Sequence, residues 1–278
     1  MAKIEQRLFG ATGMMFSTIG LGTWQLEAEQ CCAAVALQRG LDAGANHIDT
    51  AELYGDGEVE RIVGQAIRGR RQGLYLVSKV VPAHAAYAQT IAACERSLKN
   101  LRTDCLDVYL LHWREGKTPL EETFRAFDAL LRDGKIRAFG VSNFSVKDLE
   151  EALRIAGPGK IACNQVLYHL QQRAVEFDVL PWCQKRDIAV VAYSPLGQGK
   201  LAANRRLAKL ASARNVSPSQ LALAFLVRQQ GVFAIPKAAY AEHAADNVRS
   251  GALKLTDQDI ALIDQAFPAK PKRRLPMI

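Results

Sequence analysis

The sequence predicts an α/β fold of the (β/α)8 TIM-barrel class, with an N-terminal β-hairpin and extra helices late in the chain. Three observations predict it. Eight strand-like apolar segments are each followed by a helical pattern, mostly about 25–32 residues apart. No Pro/Gly/Ser linker or shift in composition divides the 278 residues, so 1–278 reads as a single domain. The G-x-G-x-x-G turn that an open doubly wound sheet would carry after its first strand is missing. Gly20-Leu21-Gly22 comes near it but lacks the third glycine and an immediate helix.

The chain opens with a hairpin pattern: Gln6-Arg7-Leu8, a turn through residues 10–13, then Met14-Met15-Phe16. The eight strands then begin near Ile19, Ala45, Leu74, Leu106, Ile136, Ile161, Ile188 and Val232. Helical periodicity covers 27–43, 58–68, 86–101, 120–132, 145–156, 177–186, 217–230 and 241–250. Ser145 and Ser217-Pro218 are N-cap signals, and Thr256 with Asp259 opens a last helix, 256–267, as a capping box. The longer interval before the eighth strand is read as a loop and a second helical stretch within 197–206.

Composition narrows the function classes. With 49% hydrophobic residues the chain can bury a large core, yet no apolar run nears the roughly 20 residues of a membrane span. The opening Met1-Ala2-Lys3-Ile4-Glu5 has no apolar signal segment. Six cysteines are scattered without a C-x-x-C pair, four of them on predicted helices where buried free thiols are common; this points to a reducing cytoplasm. Thirty-six basic against 28 acidic residues give net +8, which suits an anionic ligand such as a phosphorylated nucleotide. The basic run Lys270-Pro271-Lys272-Arg273-Arg274 has no interleaved aromatics and reads as a solvated end, not a nucleic-acid site. The five histidines show no metal-ligand spacing with each other or with cysteine, so no metal is expected.

In such barrels reactive groups come from the C-terminal ends of the strands and the loops beyond them. Here those positions hold Thr23-Trp24, Asp49, Lys79, His112-Trp113, Ser142-Asn143, Gln165, Tyr193-Ser194 and Lys237. Tyr54 follows Asp49 by five residues, on a stretch with turn chemistry (Tyr54-Gly55-Asp56-Gly57). A lone strand-end lysine usually reaches solvent, and a lone histidine is usually a satisfied core residue. Eight polar strand ends converging on one mouth favour a site instead. A phenol titrates near ~10, too high for efficient proton donation at neutral pH. A lysine ammonium within a few ångströms is expected to lower it, by about 1.4–4 kcal/mol of differential interaction. Asp49 can hold that lysine charged and aimed, and His112 can hydrogen-bond a developing oxyanion. The set is suited to proton transfer during carbonyl reduction and lacks a hydride source.

Over essentially its whole length the sequence resembles the aldo-keto reductase family. The matching stretches are Asp49-Thr50-Ala51-Glu52-Leu53-Tyr54-Gly55, Leu111-His112-Trp113, the run 134–144, Asn164-Gln165-Val166, Ala192-Tyr193-Ser194-Pro195-Leu196-Gly197 and Ile235-Pro236-Lys237. The runs 164–170 and Leu180-Pro181-Trp182-Cys183-Gln184 make it most like the short bacterial members, the methylglyoxal and general aldehyde reductases. The resemblance implies a catalytic tetrad of Asp49, Tyr54, Lys79 and His112, with Tyr54 giving the proton while NADPH gives a hydride. It implies that Tyr193 stacks on the nicotinamide and that Ser142, Asn143 and Gln165 bind its carboxamide. Residues 194–199, Ser194, Leu196 and Gly197 among them, would wrap the pyrophosphate, and Lys237 would meet the 2′-phosphate. Thr23, Asp49, His243 and Asn247 complete the expected cofactor set, and Trp24 and Trp113 the substrate walls beside Tyr54 and His112.

The chain departs from the family pattern at two places. Arg114 stands where many members have a proline after His-Trp, which changes one charge near the mouth. Ala238 and His243 replace a hydroxyl and an arginine near the expected adenosine, which weakens strict NADP preference and admits NADH as an alternative. The expected function is NADPH-dependent reduction of aldehydes and ketones with broad specificity, methylglyoxal among the candidates. The alternative is a cofactor-holding regulatory or binding protein on the same barrel, with little turnover. Expected partners are small carbonyl substrates, with no nucleic acid and no membrane, and the protein is expected to be a monomer. The short tail after Phe267 argues against a deep specificity pocket.

Overall fold

The computed structural model describes residues 4–278, the side chain of Gln30 excepted; the reading of Met1–Lys3 lies outside the described residues. Strands β1 (Gln6–Leu8) and β2 (Met15–Ser17) form the antiparallel hairpin, with Leu8 opposite Met15. Eight parallel strands follow: β3 (Leu21–Gly22), β4 (His47–Asp49), β5 (Tyr75–Val80), β6 (Leu106–Leu111), β7 (Ile136–Ser142), β8 (Ile161–Leu167), β9 (Ala189–Tyr193) and β10 (Val232–Ala234). They hydrogen-bond in chain order from β3 to β10. Bridges from Ile19 to Ala234 and from Gly22 to Lys237 join the first strand to the last, so the sheet closes into the expected barrel. Closure needs a glycine at Gly22, since a Cβ there would stand 2.3 Å from the Ile235 carbonyl oxygen.

Alternation along the strands decides what faces the barrel axis. Val77, Val108, Leu110, Ala138, Cys163, Ala189, Val191 and Phe233 form one inner apolar cluster, and Phe9, Met14 and Phe16 of the hairpin join it. Phe16 stacks on Phe9 with ring centroids 4.1 Å apart and on Tyr75 at 4.4 Å. The hairpin therefore plugs the bottom of the barrel. One alternation step beyond the apolar layer stand Lys79, His112, Gln165 and Tyr193, which leaves polar groups at the open end.

The helices cover the outside: α1 (Gln30–Asp42), α2 (Glu58–Ala66), α3 (Tyr87–Leu101), α4 (Leu120–Arg132), α5 (Val146–Ala156), α6 (Val179–Gln184), α7 (Arg205–Ser212), α8 (Pro218–Val227), α9 (Ala241–Arg249) and α10 (Asp257–Ala266). On α4 the buried face is Leu120, Thr123, Phe124, Phe127 and Leu130, a helical period set against the sheet. Each of those phenylalanines contributes about 1.5–3 kcal/mol of apolar burial. Capping boxes at Ser145/Asp148, Ser217/Gln220 and Thr256/Asp259 start α5, α8 and α10.

Four expectations need correction. The first barrel strand has only two residues, Leu21 and Gly22, and the Gly20 and Gly22 amides donate to the Ala234 and Pro236 carbonyls at the closing seam. The second helical stretch starts only at Arg205, capped by Asn204, and runs on to Ser212, so most of it lies past 197–206. The helix expected at 27–43 opens as a 3-10 turn, Leu26–Glu29, before α1. Of the four helix cysteines Cys94 and Cys183 are buried, whereas Cys31 is exposed and Cys32 half-buried near the outward start of α1. Among the described residues no helix is long and apolar enough to cross a membrane.

Candidate active site

A cavity of about 300 Å3 opens at the C-terminal ends of the strands. Its wall includes Thr23, Trp24, Asp49, Tyr54, His112, Trp113, Ser142, Asn143, Gln165, Tyr193, Ser194 and Lys237. Residues predicted from seven of the eight strand ends thus meet at one wall, and Lys79, predicted from the remaining one, lies fully buried against Asp49 and Tyr54.

Asp49 ends β4 and is 2% exposed; Lys79 lies on β5 and is fully buried. The Lys79 ammonium donates to Asp49 Oδ1 at 2.5 Å, to the Thr50 carbonyl at 2.8 Å and to the Tyr54 phenol oxygen at 3.3 Å. Gln165 Nε2 donates to the other Asp49 oxygen at 2.7 Å. Each oxygen of Asp49 thus takes one hydrogen bond, the arrangement of an ion pair held in a frame.

Tyr54 reaches this pair because the chain turns sharply after it. Gly55, Asp56 and Gly57 all have positive φ (55°, 50° and 81°), conformations in which glycine is at ease and aspartate is tolerated. Glu52 fixes the same loop to the end of β5 by accepting from the Val81 amide at 2.9 Å. On the outer side of β5, Ser78 donates to the buried Glu60 at 2.7 Å, tying the strand of Lys79 to the helix that follows Tyr54.

His112 faces Tyr54 edge-on, with ring centroids 5.8 Å apart, and packs against Trp113 at 4.9 Å. Its Nδ1 is buried without a partner, so Nε2 is the ring nitrogen left to meet a ligand. Burial first and the Lys79 charge second bring the imidazole pKa down to about 2, so His112 is a neutral hydrogen-bonding group.

Burial opposes the charged form of Lys79, but Asp49 and the phenol outweigh it and hold the ammonium pKa above its ordinary value. For Asp49, burial pushes the carboxyl up against the pull of Lys79 and Gln165. The Tyr54 phenol moves opposite to expectation. Burial raises its pKa, the nearby Asp49 carboxylate adds to the rise, and Lys79 offsets only part of it. A lysine lowers a phenol's pKa by stabilising phenolate, and here that charge is already shared with Asp49.

Across the cavity Tyr193 donates to Asn143 Oδ1 at 2.9 Å, and Asn143 Nδ2 reaches the His112 carbonyl at 3.3 Å. Ser142 donates to the Gln165 carbonyl at 3.0 Å, and Thr23 to the Asp49 carbonyl at 2.8 Å. Lys237 is an exposed part of the cavity wall.

The other expected cofactor residues stand outside the wall. Leu196 is half-buried against the core, and Gly197 is buried in the loop after β9 at a φ of 58°. Asn247 is buried on α9, while His243 is exposed there beside Arg39 and Arg249 in a separate depression.

Two readings of the mouth change. Arg114 brings no free charge, because it grips Glu151 with bonds of 2.6 and 2.9 Å and reaches Asp148 at 3.4 Å. The short tail, expected only to leave the mouth without a deep pocket, itself forms part of the wall: Met277 and Ile278 line the cavity, and the Ile278 amide donates to the Tyr193 hydroxyl at 3.4 Å. Leu53 and Ile235 also line it without having been singled out in the sequence. Their positions beside Tyr54 and one alternation step before Lys237 were the available signal.

The profile of the aldo/keto reductase family matches residues 18–267. The chain belongs to that family. Aldo/keto reductases that it resembles include the methylglyoxal reductase YeaE of Escherichia coli, 41% identical over 99% of this chain and 100% of that protein. The glyoxal reductase of Bacillus subtilis is 36% identical, over 91% of this chain and 89% of its own. Among solved structures, an aldo-keto reductase from Klebsiella pneumoniae in complex with NADPH superposes with a TM-score of 0.92 at 42% identity, covering both chains fully. Another from that organism, in complex with NADP and acetate, gives 0.93 at 43%, over 99% of this chain and all of the other.

Proposed function

We propose that this aldo/keto reductase reduces small aldehydes and ketones, methylglyoxal among them, with NADPH as reductant and Tyr54 as proton donor. The observation that carries the proposal is the hydrogen-bonded chain Asp49–Lys79–Tyr54 at the cavity, with neutral His112 facing the phenol.

NADPH, when bound, supplies the hydride that goes to the carbonyl carbon. The protein's share is orientation and a proton. His112 Nε2 can donate to the carbonyl oxygen and aim it at the phenol. Tyr54 accepts from Lys79, which leaves its own O–H free to point into the cavity and pass its proton to the forming alkoxide. Lys79 then stabilises the phenolate left behind, and Asp49 holds Lys79 in place. The polar wall fits a nicotinamide. The carboxamide needs both donors and acceptors, which Ser142, Asn143 and Gln165 offer, and the Tyr193 ring provides a flat face. Lys237 and the loop around Ser194, Leu196 and Gly197 are assigned to the phosphates, and Trp24 and Trp113 to the substrate.

This reading includes one domain over 1–278, a monomer and a cytoplasmic setting, with no nucleic-acid partner. The six unpaired cysteines support the last setting, and one main core running from Ile4 to Phe267 supports the single domain. Mixing the protein with NADPH and methylglyoxal and following nicotinamide absorbance tests the function. Stoichiometric NADPH binding without turnover would support a cofactor-holding protein instead.

A further inference from the structure

The tail carries an unusual density of charge beside the cavity. Lys270, Lys272, Arg273 and Arg274 are exposed, and none of them lies in an ion pair among the described residues. Lys272, Arg273 and Arg274 line a second cavity of about 330 Å3. Asn143 is a wall of both cavities, and the chain passes from the second into the first within three residues, since Met277 and Ile278 line the first. The two spaces therefore adjoin along Asn143 and the tail.

The second cavity also contains two carboxylates, and both are engaged. Asp148 accepts from the Ser145 hydroxyl at 2.5 Å and amide at 3.0 Å and faces Arg114 at 3.4 Å. Asp178 accepts from the Val179 amide at 2.6 Å. Three cations against two occupied carboxylates leave an electropositive space next to the place where a carbonyl would react. Neutral methylglyoxal or a simple aldehyde makes no use of such charge.

We propose that the second cavity is a subsite for the anionic end of carbonyl substrates, and that the protein prefers aldehydes bearing a carboxylate or phosphate away from the reacting carbon. This rests on the carbonyl-reductase reading above. The cations act in two ways. Their field raises the local concentration of anions at the mouth, and one or two of them pair with the bound group. Exposed pairs are individually weak, so pairing by one or two cations together with the field of all three is expected to change selectivity by about five-fold.

The test compares 4-carboxybenzaldehyde with its neutral methyl ester, methyl 4-formylbenzoate, at saturating NADPH. The readout is the ratio of their kcat/KM values in wild type and in Lys272→Gln/Arg273→Gln/Arg274→Gln. The expected result is a ratio at least about five-fold lower in the variant, through a higher KM for the carboxylate, with the ester unchanged. Raising ionic strength should lower the wild-type ratio and leave the variant's flat. Thermal melting confirms that the variant is folded, and the single variant Arg274→Glu gives a second reading with less disturbance of the tail. An unchanged ratio overturns the proposal. Equal loss on both aldehydes overturns it too, since the tail would then only shape the cavity. A raised KM for NADPH with the ratio intact assigns the charges to the cofactor's phosphates and overturns it as well. If wild type reduces methylglyoxal but neither aromatic aldehyde, the subsite alone is overturned; if it reduces none of the three, the carbonyl-reductase reading fails and the subsite falls with it.

Discussion

The Lys79 ammonium donates to the Tyr54 phenol oxygen at 3.3 Å, yet the phenol's pKa stands above its ordinary value because burial outweighs the lysine. Lys79 therefore does not prepare a free phenolate at neutral pH; it keeps a neutral phenol whose conjugate base it can stabilise once the proton has left. The lysine's benefit falls on the transition state, where charge develops.

Replacing Tyr54 by phenylalanine removes the proton donor and keeps the ring packed against His112. Turnover of methylglyoxal should fall by at least ~10²-fold, the usual scale of general acid catalysis. NADPH affinity, measured by fluorescence quenching, should change little. Retention of most of the activity would falsify the assignment of Tyr54 as the acid.

Removing Lys79 has two separable consequences. In Lys79→Met the chemistry loses its electrostatic support, and the residual rate should show a shifted pH profile. Folding also suffers, because Asp49 becomes an unpaired buried carboxylate, a loss on the order of 3–5 kcal/mol. Adding Asp49→Asn to Lys79→Met should recover much of that stability and none of the activity. Denaturant titration of the wild type, the two single variants and the double variant measures the coupling. Additive stabilities would mean that the pair is not held as the structure draws it.

Much of this site was legible because strands alternate and barrel strands end at one mouth. His112 closes an apolar run and Lys79 and Gln165 sit near the ends of apolar strands, and their inward direction follows from the inward Val77, Leu110 and Cys163 two residues earlier. What escaped were relationships that no local pattern encodes. The contact of Ile278 with Tyr193 spans 85 residues, and the tail that makes it has no periodicity. Pairing of Arg114 with Glu151 joins the loop after β6 to helix α5, across 37 residues of sequence. The direction of the Tyr54 shift depends on how much water the assembled walls exclude, which is a property of packing and not of residue type.

At the opposite end of the barrel His47 supplies a pH prediction. It is buried against the Phe16 ring, its Nε2 has no partner, and burial brings its pKa down to about 3. In the unfolded chain an imidazole titrates near ~6.5. Below that value the unfolded state takes up a proton that the folded state refuses, so stability falls with pH. The loss begins near pH 6.5 and continues towards pH 3, with a limiting slope of ~1.4 kcal/mol per pH unit from this group. Melting curves of wild type and His47→Asn between pH 7 and pH 4 isolate it. The variant should be less stable at pH 7 but should lose stability less steeply, whereas parallel curves would mean that His47 is solvated.

The cofactor prediction rests on where the cations stand. NADPH and NADH differ by the 2′-phosphate, a group of nearly two negative charges. Lys237 is exposed on the cavity wall three residues beyond β10 and is bridged to Gly22, so its backbone is fixed while its ammonium is free to swing. His243 is in the first turn of α9, outside the cavity wall, in a depression it shares with Arg39 and Arg249. An ammonium acts on a phosphate as a point charge, whereas a guanidinium adds a planar fork of donors. Lys237→Ala should therefore weaken NADPH by about ten-fold or more and leave NADH nearly unchanged, the scale of one charge-assisted contact. His243→Arg should tighten NADPH at pH 8, again with little effect on NADH. Dissociation constants for both cofactors, titrated by fluorescence quenching, decide the matter. If Lys237→Ala weakens the two cofactors equally, the lysine supports a part of the dinucleotide that both share, and discrimination must come from the Arg39 and Arg249 side of α9.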